Sequence, residues 1–292
     1  VEHESVLAPV KHLSENGFET VLLPPTPQGN VDPQSVEEAV DQRTVLLSVM
    51  LVNSETGAVN DLLSIAQAAR RKNPKVVIHC DCVQGFGKLL VLPGLWGPPG
   101  QGLDVVTIRG HKIHAPKGVG ALYIRKELVD SKRFPPLIRG GGQESGLRSG
   151  TEATAQIAAF AAAARLGAAS MEKDIAHMSA LKACAVDRLA QELPEAVVLV
   201  PDGAPHILPI SLPGYKSEVV VRFLSDRGVY LSSGSACHRG KPSHVFGALK
   251  LPKPVLDGAL RISFSCDTTR EDVDALVEGL KGAKEALFTT LS

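Results

Sequence analysis

The sequence predicts an α/β fold: a mostly parallel sheet with helices on both faces, followed by a smaller C-terminal α+β domain. Three observations predict it. Apolar, strand-like runs alternate with helical periods through the first half of the chain, the mark of βαβ units. Polar and glycine residues follow directly on several of those runs, where open α/β sheets bind ligands. After a long Ala-rich stretch the elements become shorter and less regular.

Each element has a local cause. Residues 7–13 carry apolar side chains at helical spacing and are stopped by Asn16-Gly17. Residues 20–23 read as a short strand ended by Pro24-Pro25. Asp32-Pro33 opens a helix, with Asp as N-cap and Pro at the first position. Residues 44–52 are a continuous apolar run, which predicts a strand buried on both faces. An amphipathic helix is expected over 61–71, and further strands over 76–80, 104–108 and 119–124. Residues 139–151 are too glycine-rich for regular structure, and one long helix is expected over 152–193. Beyond it, strands or helices are expected at 197–200, 207–210, 218–226, 229–232, 260–264 and 272–287. The boundary is placed inside the long helix near residue 165, which divides the chain into 1–165 and 166–292.

Composition excludes several classes of function. Lys plus Arg total 31 and Asp plus Glu total 31, so the net charge is zero and nucleic-acid binding by bulk electrostatics is not expected. An apolar share of 44% is enough to build a core, so disorder is not the main state. No run approaches the roughly 18 apolar residues of a membrane helix. The chain starts Val1-Glu2-His3-Glu4 with no signal-peptide pattern. Five cysteines are an odd number, which points away from a disulfide framework and toward a reducing cytoplasm. Cys80-x-Cys82 lies in an apolar run with no second pair at finger spacing, so no metal site is expected.

Five features carry chemistry. Gly110-His111-Lys112 follows a buried strand, and a lysine there can condense with a carbonyl cofactor once it is drawn out of water; a solvated loop lysine is the alternative. Asp81 ends another strand, where a carboxylate needs a partner. The pyridinium nitrogen of pyridoxal 5'-phosphate (PLP) is one such partner, and a turn anchor is the other reading. Residues 232–241 form a small-residue loop with Cys237 among basic neighbours, a setting that favours thiolate. Arg261, inside a strand-like run, suits either a bidentate substrate carboxylate or a structural ion pair. Arg148-Ser149-Gly150-Thr151 offers a hydroxyl and exposed amides to a phosphate, or is a plain loop.

The order of these signals is specific. Glu2-His3, Val52-Asn53-Ser54-Glu55-Thr56-Gly57, His79-Cys80-Asp81 with Gln84, Gly110-His111-Lys112, Gly140 through Thr151, and Ser232-Ser233-Gly234-Ser235-Ala236-Cys237 resemble the cysteine desulfurases of the class V aminotransferase family. The cysteine segment resembles the long-loop subgroup that serves iron–sulfur assembly and tRNA thiolation. The resemblance implies the fold of PLP-dependent transferases of type I, the aspartate-aminotransferase-like fold. It implies Lys112 as the PLP-bearing lysine, His3 as the histidine stacked on the ring, Asp81 at the ring nitrogen and Gln84 at the phenolic oxygen. His111 falls in the phosphate-binding segment. Thr151 matches the threonine reaching the phosphate of a second subunit, which implies a homodimer. Arg261 matches the holder of the substrate carboxylate, with Asn53 also on the substrate side, and Cys237 matches the sulfur-accepting nucleophile. Arg109 stands where the family usually has a phosphate-binding Ser, and Ser54 where a second Asn is usual; both remain cofactor-binding candidates. The family also carries about a hundred residues ahead of His3, including a phosphate-gripping loop.

The implied activity converts L-cysteine to L-alanine and passes the sulfur, as a persulfide, to an acceptor or scaffold protein. Selenocysteine lyase is the second enzymatic reading. A non-catalytic fragment of a split enzyme is the third.

Overall fold

The computed structural model describes residues 1–90, 102–233 and 243–289. They group into two compact units. One comprises Val40–Leu51 and Leu62–Met171; the other comprises Val1–Ala39, Val52–Asp61 and Glu172–Ser292. This grouping differs from a single cut near residue 165. The chain crosses between units inside the long helix after Met171, and two earlier segments belong with the C-terminal residues. The reason is long-range. The carbonyl of Gly57 accepts from Ala204 N at 2.7 Å, and a Cβ at Gly57 would meet Ile207 at 3.0 Å. Its φ of +70° is a second reason for glycine there.

The first unit holds a sheet of β1 (Leu46–Met50), β2 (Val77–Asp81), β3 (Val105–Arg109) and β4 (Gly120–Ile124), in that spatial order. The first three strands are parallel and β4 runs antiparallel to β3, so the sheet is mostly parallel, as expected. Helix α3 (Leu62–Lys72) makes the crossover from β1 to β2 and buries Leu62, Ile65, Ala66, Ala68 and Ala69. The run 44–52 departs from its expected burial. Among the described residues β1 pairs on one side alone, so Val45 and Leu46 are exposed while Val49 and Met50 are buried.

At the amino ends of β2 and β3 a buried ionic knot ties the unit together. Asp104 pairs with Arg70 at 2.7 Å and with Arg125 at 3.2 Å. Asp104 Oδ2 also accepts from Ile78 N at 2.8 Å. The arginines donate further to the carbonyls of Gly102 at 2.6 Å and Leu103 at 2.8 Å. Helix α4 (Lys126–Asp130) starts directly after Arg125. Residues 139–151 are irregular as expected, with a short turn at Gln143–Gly146 in which Glu144 and Ser145 adopt positive φ. Helix α5 (Thr154–Glu192) then carries the chain into the second unit.

The second unit begins with α1 (Glu4–Glu15) and α2 (Pro33–Ala39). Asp32 caps α2, accepting from the amides of Gln34 and Ser35 at 3.2 and 3.1 Å. A smaller antiparallel sheet of β5 (Val197–Val198), β6 (Ile207–Ser211) and β7 (Ala259–Ser263) follows. It packs with α6 (Ser217–Ser225), α9 (Arg270–Ala286) and the end of α5 through Leu189, Leu208, Ile210, Leu224, Leu260, Val277 and Leu280. Short helices α7 (His244–Ala248) and α8 (Lys253–Asp257) complete it. Two expected strands are not formed. Residues 20–23 are irregular, with Val21 and Leu22 exposed. Residues 229–232 contribute a single bridge, Ser232 to Arg261. β-propensity without a partner edge does not make a strand.

Thr269 opens α9 with a reciprocal cap. Its Oγ1 accepts from Asp272 N at 3.2 Å, and Asp272 Oδ2 accepts from Thr269 N at 2.8 Å. Thr269→Ala is expected to lower the unfolding free energy by about 1 kcal/mol, measured by urea denaturation with an unchanged m-value. No loss would mean that packing alone holds the helix end.

Candidate active site

The parallel strands β1, β2 and β3 end on one edge of the first unit's sheet. Asp81, the last residue of β2, is 8% exposed. Its Oδ1 accepts from Val83 N at 2.9 Å, which turns the chain out of the strand. No ion pair joins Asp81 to a Lys, Arg or His among the described residues. The turn reading of Asp81 therefore accounts for one oxygen, and the charge itself is left for another cation. Gln84 follows in the same turn, half-buried. Gly85 is required beside it, because a Cβ there would lie 2.4 Å from Leu51 Cδ2.

Two residues earlier on the same face of β2 is His79. Its Nδ1 meets Ser48 Oγ at 2.8 Å and its Nε2 meets Thr107 Oγ1 at 2.9 Å. One ring thus bridges β1, β2 and β3, and Thr107 sits opposite Asp81 in the register. Burial pushes the proton affinity of His79 below the ordinary histidine range, and the charge of Asp81 opposes that shift. The folded value is depressed, so below about 6.5 the unfolded chain takes up a proton that the native fold resists. The stability contribution is full above that value and falls as pH drops through it. His79→Gln is expected to flatten the acid limb of a stability-against-pH curve below that point, read by urea unfolding. Parallel curves for the two proteins would contradict this.

At the end of β3, Arg109 leads into a 3₁₀ turn, Gly110–Ile113, that carries His111 and Lys112. The turn is closed by Ala115 N donating to Gly110 O at 3.1 Å, with His114 at φ +66°. Gly110 N donates to Val119 O at 3.0 Å and fastens the turn to β4. Lys112 is half-buried; Arg109 and His111 are exposed. Loss of hydration lowers the proton affinity of His111, and the positive charges of Lys112, Arg109 and Lys117 lower it further. The turn is thus an electropositive edge suited to an anion. Thr151 is exposed at the end of the glycine-rich loop, whose shape is set in part by Ser149 Oγ donating to Gly141 O at 2.9 Å.

These residues fit PLP. A buried carboxylate without an ionic partner suits a protonated ring nitrogen, a half-buried lysine on the neighbouring strand end suits a carbonyl, and the positive turn suits a phosphate.

The second unit holds the remaining candidates. His3 is the N-cap of α1: its Nδ1 accepts from Ser5 N at 3.1 Å and contacts Ser5 Oγ at 2.9 Å. Asn53 is 1% exposed. Its Oδ1 accepts from the amides of Glu55 and Thr56, both at 2.9 Å, and its Nδ2 donates to Val1 O at 2.9 Å. Asn53 therefore shapes the 53–57 loop with its own amide. The carbonyl of half-buried Ser54 accepts from Arg261 Nη1 at 2.9 Å. Arg261 lies in β7, and its backbone exchanges two hydrogen bonds with Ser232, at 2.7 and 3.3 Å. Its Nε is buried without a hydrogen-bond partner, which leaves a guanidinium edge for an anion. Cys237 lies outside the described residues.

Sequence reasoning missed Glu55, His79 and Ser243. Glu55 is 1% exposed and takes a hydrogen bond from Ser243 Oγ. Both Glu55 and His79 lie inside motifs named above; for His79 the signal was an ionisable residue within an apolar run, whereas Glu55 follows Asn53-Ser54 in a polar segment that gave none.

Comparison with known proteins follows the same lines. The aminotransferase class V family model matches residues 1–276. The chain is 35% identical over 291 residues to the cysteine desulfurase IscS of Photobacterium profundum, covering 98% of this chain and 69% of the relative. It is 36% identical over 281 residues to the cysteine desulfurase IscS of Rickettsia rickettsii, covering 94% and 66%. The chain thus spans about two thirds of the length of these curated relatives. Among solved structures, a NifS-like protein superimposes with a TM-score of 0.87 at 31% identity, covering 98% of this chain and 73% of that one. DndA from Streptomyces lividans gives 0.74 at 34% identity, covering 90% and 73%.

Proposed function

The chain belongs to the class V aminotransferase family, and on that premise we propose that it is a PLP-dependent cysteine desulfurase, releasing L-alanine and retaining the sulfur as a persulfide on Cys237. The observation that carries this reading is Asp81, a buried carboxylate at the end of β2 with no ionic partner among the described residues, one strand from Lys112.

When bound, PLP supplies a carbonyl and an electron sink for the charge that develops at the substrate's Cα. The roles of the chain's own residues follow. Asp81 would hold a proton on the ring nitrogen by placing a fixed negative charge beside it. Lys112 would anchor the cofactor, and its Nζ is the group that would carry the proton to and from Cα. Arg109, His111 and Lys112 would present positive charge to the phosphate, and by the family likeness Gln84 would donate to the phenolic oxygen and His3 would cover the ring. Arg261 receives the substrate carboxylate, with Asn53 and Ser54 shaping the loop against it. The Cys237 thiolate attacks the substrate sulfur. A sulfur–sulfur bond forms, the Cβ–sulfur bond breaks, and its electron pair stays with carbon, which takes a proton and leaves as alanine.

The family likeness supports further expectations. Thr151 reaches the phosphate of a second copy of the chain in a homodimer, and the persulfide passes to an acceptor or scaffold protein. A cytoplasmic location is favoured by the free thiols of Cys80, Cys82, Cys184 and Cys266. No helix among the described residues is long and apolar enough to cross a membrane.

Asp81→Asn tests the reading. It keeps the turn hydrogen bond and removes the charge. The expected result is a fall in kcat/KM of at least about a hundredfold, with a changed cofactor absorbance and a near-unchanged melting temperature. Turnover of L-cysteine at the unmodified rate would overturn the assignment. Rates on L-selenocysteine separate a lyase preference.

A further inference from the structure

Arg261 is a buried cation with one edge unused. Its Nη1 donates to Ser54 O at 2.9 Å, and its Nε is buried without a hydrogen-bond partner. The residue after Ser54 is Glu55, 1% exposed, on the same loop. Glu55 is fixed at both ends: its amide donates to Asn53 Oδ1 at 2.9 Å, and its Oε2 accepts from Ser243 Oγ. Ser243 is itself pinned as the N-cap of α7, accepting from the amides of Val245 and Phe246 at 3.1 and 3.2 Å. The anion and the cation therefore lie in one hydrogen-bonded cluster within one unit, yet no ion pair joins them directly. Their interaction is through space, where the charge of Glu55 offsets part of the effect of burial on Arg261.

We propose that Glu55 is the resident counter-charge of Arg261, so that a substrate carboxylate docks on the guanidinium against the opposing field of Glu55. Glu55 is then a positioning residue. It stabilises the site before substrate enters, because a buried guanidinium without a counter-charge is costly. It also weakens the grip on any carboxylate once docked, because two anions then share one cation. This favours departure of the amino-acid product after each turnover. The inference rests on reading Arg261 as the holder of the substrate carboxylate.

The test uses 3-mercaptopropionate, a thiol carboxylate with no amine to join the cofactor. Its binding to the full chain is measured by thermal shift in the unmodified protein, Glu55→Gln, Ser243→Ala and Arg261→Gln. Glu55→Gln keeps an acceptor for Ser243 and removes the charge. It is expected to melt lower without ligand, to be stabilised more by ligand, and to bind roughly fivefold or more tightly. Ser243→Ala keeps the charge and stays within about twofold of the unmodified protein, and Arg261→Gln loses the response. If Glu55→Gln folds only when the ligand is present, the ligand is acting as the missing counter-charge, which supports the proposal. Equal affinity in the unmodified protein and Glu55→Gln overturns it, as does a Glu55→Gln chain that folds neither with nor without ligand. Normal turnover of L-cysteine alongside equal affinities would overturn this inference alone. No response in the unmodified protein would remove the reading of Arg261 as well.

Discussion

Cys237→Ala is expected to abolish sulfur transfer while leaving cofactor uptake at Lys112 intact. The substitution removes one sulfur atom, which in the proposed reaction is the acceptor for the substrate's sulfur. Without it the sulfur–sulfur bond cannot form, and the Cβ–sulfur bond has no partner to which its sulfur can pass. The four other cysteines among the described residues are poorly suited to substitute, and Cys184 packs against the hydrophobic core of the second unit. Cys80 and Cys82 are fully buried and contact each other at 3.5 Å. At Cys266, burial raises the thiol's proton affinity, and the nearby charges of Asp267 and Asp174 raise it further, so thiolate is disfavoured. Alanine formation and persulfide labelling should both fall to background, with the cofactor absorbance unchanged. Alanine release at the normal rate from Cys237→Ala would show that the nucleophile lies elsewhere.

Asp104→Asn is expected to produce the largest loss of stability. Asp104 neutralises Arg70 and Arg125 at once, with all three side chains about 10% exposed or less. Asparagine preserves the shape and leaves two buried guanidinium groups without a counter-charge. Removing one partner from a buried ion pair costs about 3–5 kcal/mol, so melting should fall by roughly 10 °C. A loss below about 1 kcal/mol would mean that water or the carbonyls of Gly102 and Leu103 suffice for the arginines. Asp104 and Asp81 thus serve opposite ends of the same parallel strands. The charge at the amino end is satisfied and structural. The charge at the carboxyl end lacks an ionic partner among the described residues, and the proposed function assigns it to the cofactor's ring nitrogen.

Much of this was legible before any coordinates. The parallel strands announced themselves as apolar runs, and Asp81 and Lys112 stood out because each follows such a run. The cap of α2 was readable because Asp-Pro acts on its own neighbours. What depends on distant partners was not readable. Among the described residues, 20–23 have strand-like composition but pair with no strand, and 229–232 gain only one bridge. The segment 52–61 follows β1 directly in the chain, yet its contacts with Ala204 and Ile207 place it in the other unit. Asn53 was expected on the substrate side. Its amide also folds the loop that presents Ser54 to Arg261, a role visible only through its hydrogen bonds. Glu55 was hidden for the same reason, since its partners Ser243 and Arg261 lie far along the chain.

The most direct test of the central claim is covalent trapping. The chain is incubated with PLP and reduced with borohydride; its intact mass is measured and its peptides are mapped. The account predicts one phosphopyridoxyl group per chain, on Lys112, and its loss in Lys112→Ala. No adduct, or labelling scattered over exposed lysines such as Lys117 and Lys126, would contradict it.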